Sequence, residues 1–544
     1  MLIDLYDAVP KRMSELWKLS PEEQVVIFSD AFMRIQTYQL NHVGSHIWYL
    51  ADGSKAVSEI ADDIYKAIDI RSRPPRELIL RDVVDFIVEG RDNYLAELNY
   101  PHKEVDLLLV APPNSRFYHK KIHQIPENSS PPLGLCSMAT LLHQHGIRVH
   151  LEDFQASEKG IEQIIPLIEQ YHPKFIGISA TTTSFFQAKR MAKTVKEYYP
   201  EITLIMGGIH GSALPEQSLV MTDFEIVVRG EGEITILELI KRLLSRDNDL
   251  STVQGISYKT SSGAIIHNPA RPVIADLDTL PAPDKRMTDL YRYYQKGAIL
   301  TGRGCPNHCI FCSCGAFSGN KYRPRSIQHI LGEIKDTINR FGVNQFEIHD
   351  DTFTLSKRRV DSFCKGVAEE GLEITWGCQS RVTTIDKELA KIMFDAGCRS
   401  IQFGVESGNQ AVLNSIKKGI TLNQVEKAVM GAYKAGIPNI VCTFMIGHPE
   451  DTRDTIQDTV EFALRLHEIG VTITPFTVLT PLPGTDVYHR AEEYGINIFD
   501  DDWERYTFSR VNMETKHLKA EELQDMYFNI LERVLTKEGR FNET

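Results

Sequence analysis

The sequence lacks any surplus of positive charge. Its 544 residues hold 73 Asp and Glu against 60 Lys and Arg, a formal net charge of −13. No basic stripe offsets that balance, which argues against nucleic acid as the main partner. There is no uninterrupted apolar run long enough to span a bilayer. Residues 1–16 alternate charged and apolar side chains, without the apolar centre of a signal peptide. A reduced cytoplasmic setting with no membrane partner is expected. Of nine cysteines, Cys136, Cys314, Cys364, Cys378, Cys398 and Cys442 are scattered. With no second C-x-x-C pair, neither a disulfide framework nor an auxiliary metal cluster is signalled. Composition is otherwise that of a globular protein, 42% hydrophobic and 24% charged. The length exceeds what one core can serve and predicts about three domains.

What is present is one tight run, Gly304-Cys305-Pro306-Asn307-His308-Cys309-Ile310-Phe311-Cys312. Three thiolates on one loop can hold three irons of a cubane [4Fe–4S] cluster, which usually takes four cysteines. With only three, one iron keeps an open position, as a catalytic metal does for its substrate. A zinc or purely structural site would want a fourth ligand nearby. Cys314 is the sole candidate, and it sits awkwardly close to Cys312.

The pattern of apolar residues divides the chain. In residues 1–100, Val25-Val26-Ile27-Phe28 and residues 33–40 predict strands, 57–68 and 76–89 predict helices, and 92–98 a returning strand. Residues 101–254 alternate short apolar strands, near Val105, Val149, Phe175, Thr203 and Glu225, with helices. That is the signature of a Rossmann-like, doubly wound parallel sheet with its ligand beyond the strand carboxyl ends. Residues 255–290, with Pro269, Pro272, Pro281 and Pro283, read as a linker. Residues 291–500 alternate again, with strands near Ala298, Gln345, Thr375, Ser400, Asn439 and Thr472. A full or partial (β/α) barrel with its chemistry at strand C-termini is predicted. Residues 501–544 form a C-terminal helical segment whose amphipathic helix is expected to pack on the barrel. The fold class is α/β.

The C-x3-C-x2-C spacing, with Phe311 before the last cysteine, resembles that of radical S-adenosylmethionine (SAM) enzymes. Further stretches match that family in order: Glu347-Ile348-His349-Asp350-Asp351-Thr352-Phe353, Gly377-Cys378-Gln379-Ser380-Arg381, Gly404-Val405-Glu406-Ser407-Gly408, Phe444-Met445-Ile446-Gly447-His448-Pro449-Glu450, and Thr480-Pro481-Leu482-Pro483-Gly484-Thr485. The resemblance implies that Cys305, Cys309 and Cys312 ligate the cluster and that SAM chelates the open iron. It implies SAM contacts from Phe311, Asp350, Asp351, Gln379, Arg381, Glu406, Met445 and Gly447. The region of Asp350 and Asp351 would serve the amino group, Arg381 the carboxylate, Glu406 the ribose hydroxyls, and the segment of Met445 and Gly447 the adenine. Taken singly, the two aspartates could cap a helix, and Arg381 and Glu406 could be a structural ion pair. The implied chemistry is reductive cleavage of SAM to a 5′-deoxyadenosyl radical that abstracts hydrogen from an unreactive C–H bond. A reducing donor such as flavodoxin or ferredoxin is implied with it.

Residues 103–250 resemble the cobalamin-binding domain that precedes the barrel in one large subclass of that family. The matching residues are Pro112-Pro113, Pro132-Leu133-Gly134, Gly177-Ile178-Ser179-Ala180-Thr181-Thr182, Gly207-Gly208-Ile209-His210 and Gly230-Glu231-Gly232-Glu233. The resemblance implies cobalamin contacts from Pro113, Gly134, Ser179, Thr181, Thr182, Gly207, Gly208, His210, Gly230 and Glu231. Glycines at strand ends let backbone approach a bulky ligand, and hydroxyls suit a nucleotide tail. Mutase domains carry D-x-H-x-x-G, whose histidine ligates cobalt. Here the comparable stretch is Asp153-Phe154-Gln155-Ala156-Ser157-Glu158, with glutamine in place of histidine. Ligation from this loop by histidine is therefore not expected. A nucleotide- or flavin-binding sheet, or a relic that has lost its cofactor, is the plain alternative.

Residues 25–98 resemble the PqqD-like recognition element of ribosomal peptide pathways. The likeness rests on Leu40-Asn41-His42-Val43-Gly44-Ser45-His46-Ile47-Trp48, Leu50-Ala51-Asp52-Gly53 and Val57-Ser58-Glu59-Ile60-Ala61. In that family a winged-helix-like unit binds the leader of a precursor peptide as an added strand. Here the receiving edge is expected within residues 33–39. Together these resemblances imply a cobalamin-dependent radical SAM enzyme acting on a precursor peptide, foremost by C-methylation. A peptide epimerase or crosslinking enzyme stays open, with Cys314, Cys364, Cys378, Cys398 and Cys442 as candidate thiols. So does an enzyme of tetrapyrrole or lipid precursors. A non-catalytic scaffold is opposed by the intact cluster motif.

Overall fold

A computed structural model describes five strands within the first hundred residues, and residues 104–114, 130–247 and 249–537. The five strands are β1 (Val9–Arg12), β2 (Trp17–Leu19), β3 (Val25–Ser29), β4 (Gln36–Gln39) and β5 (Ala96–Asn99). β2, β3 and β4 form an antiparallel sheet with β3 in the middle, and β1 pairs with β5. Of the strand expected over 33–40, residues 36–39 are described, and they form β4. Of the strand expected over 92–98, residues 96–98 are described and lie in β5. The helices expected over 57–68 and 76–89 lie outside the described residues.

The second sheet holds β6 (Leu107–Ala111), β7 (Val149–Asp153), β8 (Phe175–Ser179), β9 (Thr203–Gly207), β10 (Ile226–Val228), β11 (Ile256–Lys259) and β12 (Ile265–His267). Its order is β12-β11-β10-β9-β8-β6-β7. β6 to β10 are parallel. Leu107, Leu108, Val110, Ile176, Ile178, Leu204 and Met206 are buried, because helices cover both faces and the strands read as continuous apolar runs. The order reverses between β6 and β8, the switch point where such sheets bind ligands. β11 and β12 extend the sheet as an antiparallel hairpin, where a linker was expected. The prolines of that stretch begin only at Pro269, after a hairpin that turns near Gly263 (φ 83°).

The third sheet is built from β13 (Gly297–Ile299), β16 (Gln345–Ile348), β17 (Thr375–Ser380), β18 (Cys398–Glu406), β19 (Asn439–Ile446) and β20 (Phe476–Val478), all parallel and in chain order. It is a partial barrel. Between β13 and β16 the short ribbon of β14 (Gly302–Arg303) and β15 (Arg323–Pro324) brackets the cysteine loop. β20 begins later than expected, because Pro475 has no N–H to give the ladder. Period two decides what each strand presents. Ile401, Phe403 and Val405 on β18, and Ile440, Cys442, Phe444 and Ile446 on β19, enter the core under the helices. Their alternates Gln402, Gly404, Glu406 and Thr443 face a cavity. Helix Ile327–Phe341 starts at Ser326, whose hydroxyl accepts from the His329 N–H at 3.2 Å, and stops at left-handed Gly342 (φ 64°).

The terminal helix Ala520–Lys537 buries Leu523, Tyr527, Ile530 and Val534 in the barrel core. The chain before it takes another route. Trp503 and Tyr506, around the short turn Trp503–Arg505, join the core of the second sheet. Residues 501–544 are therefore more than one helical segment: an apolar clamp on the neighbouring domain precedes the helix.

Candidate active site

Cys305, Cys309 and Cys312 line one cavity of about 520 Å³ at the strand C-termini of the partial barrel. Gly304 permits the turn into their loop. Its φ is +87°, and a Cβ there would lie 2.5 Å from the Lys321 carbonyl oxygen. The Asn307 amide donates to Cys305 Sγ at 3.1 Å, and the Cys314 N–H to Cys312 Sγ at 3.5 Å. Burial, reinforced by the neighbouring Cys309, Asp351 and Cys305, pushes the Cys312 thiol up. Bound iron would reverse that balance. Among the described residues, no three Cys, His, Asp or Glu side chains converge on one point as a single zinc ion would need. Three sulfurs around a shared cavity instead suit one thiolate per iron of a cubane.

Asp350 is placed differently from the expectation. It is fully buried, and its carboxylate accepts from the Thr301 N–H and hydroxyl, both at 2.6 Å, and from the Gly302 N–H at 3.0 Å. It therefore holds the chain that leads into the cysteine loop. Asp351 does line the cavity, and its Oδ2 accepts from the Cys314 thiol at 3.0 Å. Burial, then that carboxylate, raise the Cys314 thiol far above its ordinary range.

Phe311, Gln379, Arg381 and Glu406 line the same cavity. A register shift between β18 and β19 at Gly404 and Glu406 re-aims the strand end, and Glu406 adopts a left-handed φ of 75°. Its Oε1 accepts from Lys418 Nζ at 2.7 Å, with each side chain one-tenth exposed. Lys418 is thus the partner of Glu406, and no ion pair joins Glu406 to Arg381 among the described residues. The Lys418 ammonium also stands 5.6 Å from the centre of the Phe311 ring. The sequence reading passed over this lysine, because Lys417-Lys418-Gly419 looks like a solvated turn.

Met445 and Gly447 lie outside the cavity lining. Met445 packs against the barrel core. Gly447 donates its N–H to Asp451 and is covered by Leu523, which a Cβ at 447 would meet at 2.6 Å. His448 beside it is fully buried, 5.9 Å ring to ring from Phe311, and burial holds its imidazole down at about 3. Cys364, Cys378, Cys398 and Cys442 belong to the hydrophobic core. Of the five candidate thiols, Cys314 alone lines the cavity.

The residues expected to hold cobalamin divide in two. Gly134, Gly207 and Gly230 have open space where a Cβ would sit. Their bare backbone at the carboxyl edge of the second sheet fits the approach of a corrin. Ser179 and Pro113 are half-buried and Thr181 is exposed at the same edge. Gly208 faces inward, where a Cβ would press within 2.4 Å of the Ala180 carbonyl oxygen. His210 is fully buried, its ring 4.2 Å from Phe185 and 4.4 Å from Trp503. Burial keeps it neutral, at about 3, and its Nδ1 lies 3.4 Å from the buried Thr182 hydroxyl. His210 and Thr182 are therefore core, not contact surface: Trp503 covers His210, and Thr182 is buried beside it. Glu231 is taken up by two arginines of the barrel. Gln155 Oε1 accepts from the Asn114 N–H at 2.7 Å.

Three family models match the chain in order: Coenzyme PQQ synthesis protein D over residues 23–95, the B12 binding domain over 126–240 and the Radical SAM superfamily over 299–463. An uncharacterized methyltransferase of Pyrococcus horikoshii is 33% identical over 432 residues, 78% of this chain and 91% of that protein. An anaerobic magnesium-protoporphyrin IX monomethyl ester cyclase of Rubrivivax gelatinosus is 28% identical over 426 residues, 76% of this chain and 73% of the cyclase. Among solved structures, the radical SAM methyltransferase TsrM of Kitasatospora setae, with cobalamin and a [4Fe–4S] cluster bound, superposes with a TM-score of 0.65 at 18% identity, covering 78% of this chain and 91% of TsrM. The cobalamin-dependent radical SAM enzyme OxsB superposes at 0.58 with 17% identity, covering 95% of this chain and 68% of OxsB. No helix among the described residues is long and apolar enough to cross a membrane. The protein belongs to the cobalamin-dependent radical SAM methyltransferase family, whose cofactors are a [4Fe–4S] cluster, SAM and cobalamin.

Proposed function

We propose that this enzyme transfers a methyl group to an unactivated carbon of a ribosomally made precursor peptide. The supporting observation is the PqqD-type module ahead of the two cofactor domains. In its antiparallel sheet, β4 is an edge strand with one side unpaired among the described strands. A leader peptide would add beside Gln36–Gln39, taking backbone hydrogen bonds there. The domains are then leader recognition over residues 1–100, cobalamin binding over 101–267 and the radical SAM barrel over 291–500.

When bound, the cluster with SAM supplies a carbon-centred radical, and cobalamin supplies the methyl group. Cys305, Cys309 and Cys312 hold the cluster. Arg381 is sited for the SAM carboxylate and Glu406 for its ribose hydroxyls, with Phe311, Asp351 and Gln379 completing the lining. Gly134, Ser179, Thr181, Gly207 and Gly230 offer the surface for the corrin, with Pro113 at its edge. A reduced flavodoxin or ferredoxin serves as electron donor. Cys364, Cys378, Cys398 and Cys442 are buried away from the cavity, so epimerisation would rest on Cys314 alone among the five candidate thiols.

A second reading has a specific basis: by name, the Rubrivivax relative acts on a magnesium-porphyrin ester. One experiment separates the two. The full chain is incubated anaerobically with SAM, hydroxocobalamin, a reductant, a short candidate precursor peptide sought among neighbouring genes and a magnesium-porphyrin ester, and the products are weighed by mass spectrometry. Gain of one methyl group supports the proposal. Loss of hydrogen without carbon gain marks crosslinking, and deuterium uptake from heavy water marks epimerisation. An unchanged peptide beside a methylated tetrapyrrole establishes the small-molecule reading.

A further inference from the structure

The loop that carries all three cluster cysteines is closed at its neck by β14 and β15, where Arg303 stands directly opposite Arg323. Like charges facing each other across an antiparallel pair repel. Both are also withdrawn from water, their side chains 17% and 5% exposed. The compensating charge comes from the cobalamin-binding domain. Glu231 Oε1 accepts from Arg303 at 3.2 Å and from Arg323 at 2.9 Å, and its Oε2 accepts from Arg323 at 2.9 Å. Glu233 accepts from Arg303 at 2.6 Å. Glu231 also takes the Ile274 N–H at 2.7 Å, which fixes its own position. Arg323 reaches forward to the Ser318 carbonyl inside the loop at 2.7 Å. One carboxylate thus spans the two ends of the cysteine loop, from a segment that also presents the open backbone of Gly230.

We propose that Glu231 is a positioning residue for the iron–sulfur site. It clamps Arg303 to Arg323, fixes the approach to the Gly304 turn and Cys305, and balances two cations next to the cluster loop. The cluster site is complete only when the cobalamin domain is docked against it. Removing the carboxylate charge leaves an unbalanced cation near the cluster, which favours the more negative, reduced state.

The test uses the full chain, reconstituted anaerobically and titrated with reductant while the reduced cluster is followed by electron paramagnetic resonance. Glu231→Gln keeps the side chain's size and removes its charge. Full iron loading, altered g values and a several-fold higher ratio of reduced to oxidised cluster at the unsubstituted protein's midpoint are expected. A tenfold change in that ratio corresponds to 59 mV for one electron. Glu231→Asp restores the charge and should bring the midpoint back toward the starting value. Glu233→Gln should shift it in the same direction, and it stands in should Glu231→Gln fail to fold. Unchanged midpoint and g values in the Gln variants, with only a lower melting temperature, would mean that the ion cluster merely joins two domains, and the proposal falls.

Discussion

Replacing Asp350 with alanine should empty the cluster site while leaving the barrel folded. The carboxylate accepts from two backbone N–H groups and one hydroxyl at 2.6–3.0 Å, in a place with no solvent access. Alanine strands all three donors. Each is worth about 1–3 kcal/mol when left unmade in the interior, so the local penalty for three is roughly 3–9 kcal/mol. Part is returned, because burial already pushes the Asp350 carboxyl up and the ionised form is held at a cost. Asparagine is milder. Its carbonyl oxygen still serves both N–H groups, and the Thr301 hydroxyl can turn to accept from the new amide, leaving a loss of about 1 kcal/mol. The damage falls on Thr301 and Gly302, which run straight into Gly304 and Cys305. Iron and sulfide per chain are measured after anaerobic reconstitution, with circular dichroism to monitor the fold. Asp350→Ala is expected to lose most of its iron at unchanged secondary structure, and Asp350→Asn to keep it. Full iron in Asp350→Ala would refute the harness described above. Loss of SAM binding in Asp350→Asn with an intact cluster would return this residue to direct contact with SAM.

Three further outcomes are expected. Burial raises the Glu347 carboxyl to about 7 from an ordinary value of 4.5; stability is therefore present below pH 4.5 and lost as pH climbs to about 7, by about 3 kcal/mol. Glu347→Gln should flatten this slope and raise the melting temperature at about pH 8, and melts of both proteins across that range check it. Cys314→Ala should keep full iron and turnover whereas Cys305→Ala loses both; iron loss in Cys314→Ala would make it a ligand. Lys418→Met leaves the Glu406 carboxylate without its partner in a largely dry place, a loss of about 3 kcal/mol; SAM affinity, read by equilibrium dialysis, should fall at least tenfold with cluster content unchanged.

The cysteine loop was legible because its chemistry is written in contiguous spacing. The two aspartates that follow β16 show where such reading goes astray. Phe346 and Ile348 are core residues, so position 350 shares their side of the strand and 351 takes the other. Parity would have told structural Asp350 from cavity-lining Asp351, but proximity to a motif does not. Lys418 carried no local signal, since its meaning comes from a bulge in a strand twelve residues earlier. His210 and Glu231 sit among glycines that look like a ligand edge, yet Trp503 covers the first and Arg303 with Arg323 engage the second. Contacts between domains leave no periodicity to read. The β11–β12 hairpin was hidden by the prolines that follow it.

The Trp503 clamp also bears on how the chain is made. The Gln187 amide donates to Glu504 at 3.0 Å across 317 positions of sequence, and Phe185 and His210 depend on the same late segment for cover. At ribosomal speeds of about 5–20 residues per second, the cobalamin sheet waits roughly 12–47 s after its last strand before its lid is synthesised. During that interval the rings of Phe185 and His210 lack their Trp503 cover. A version truncated after residue 500 would never leave that state.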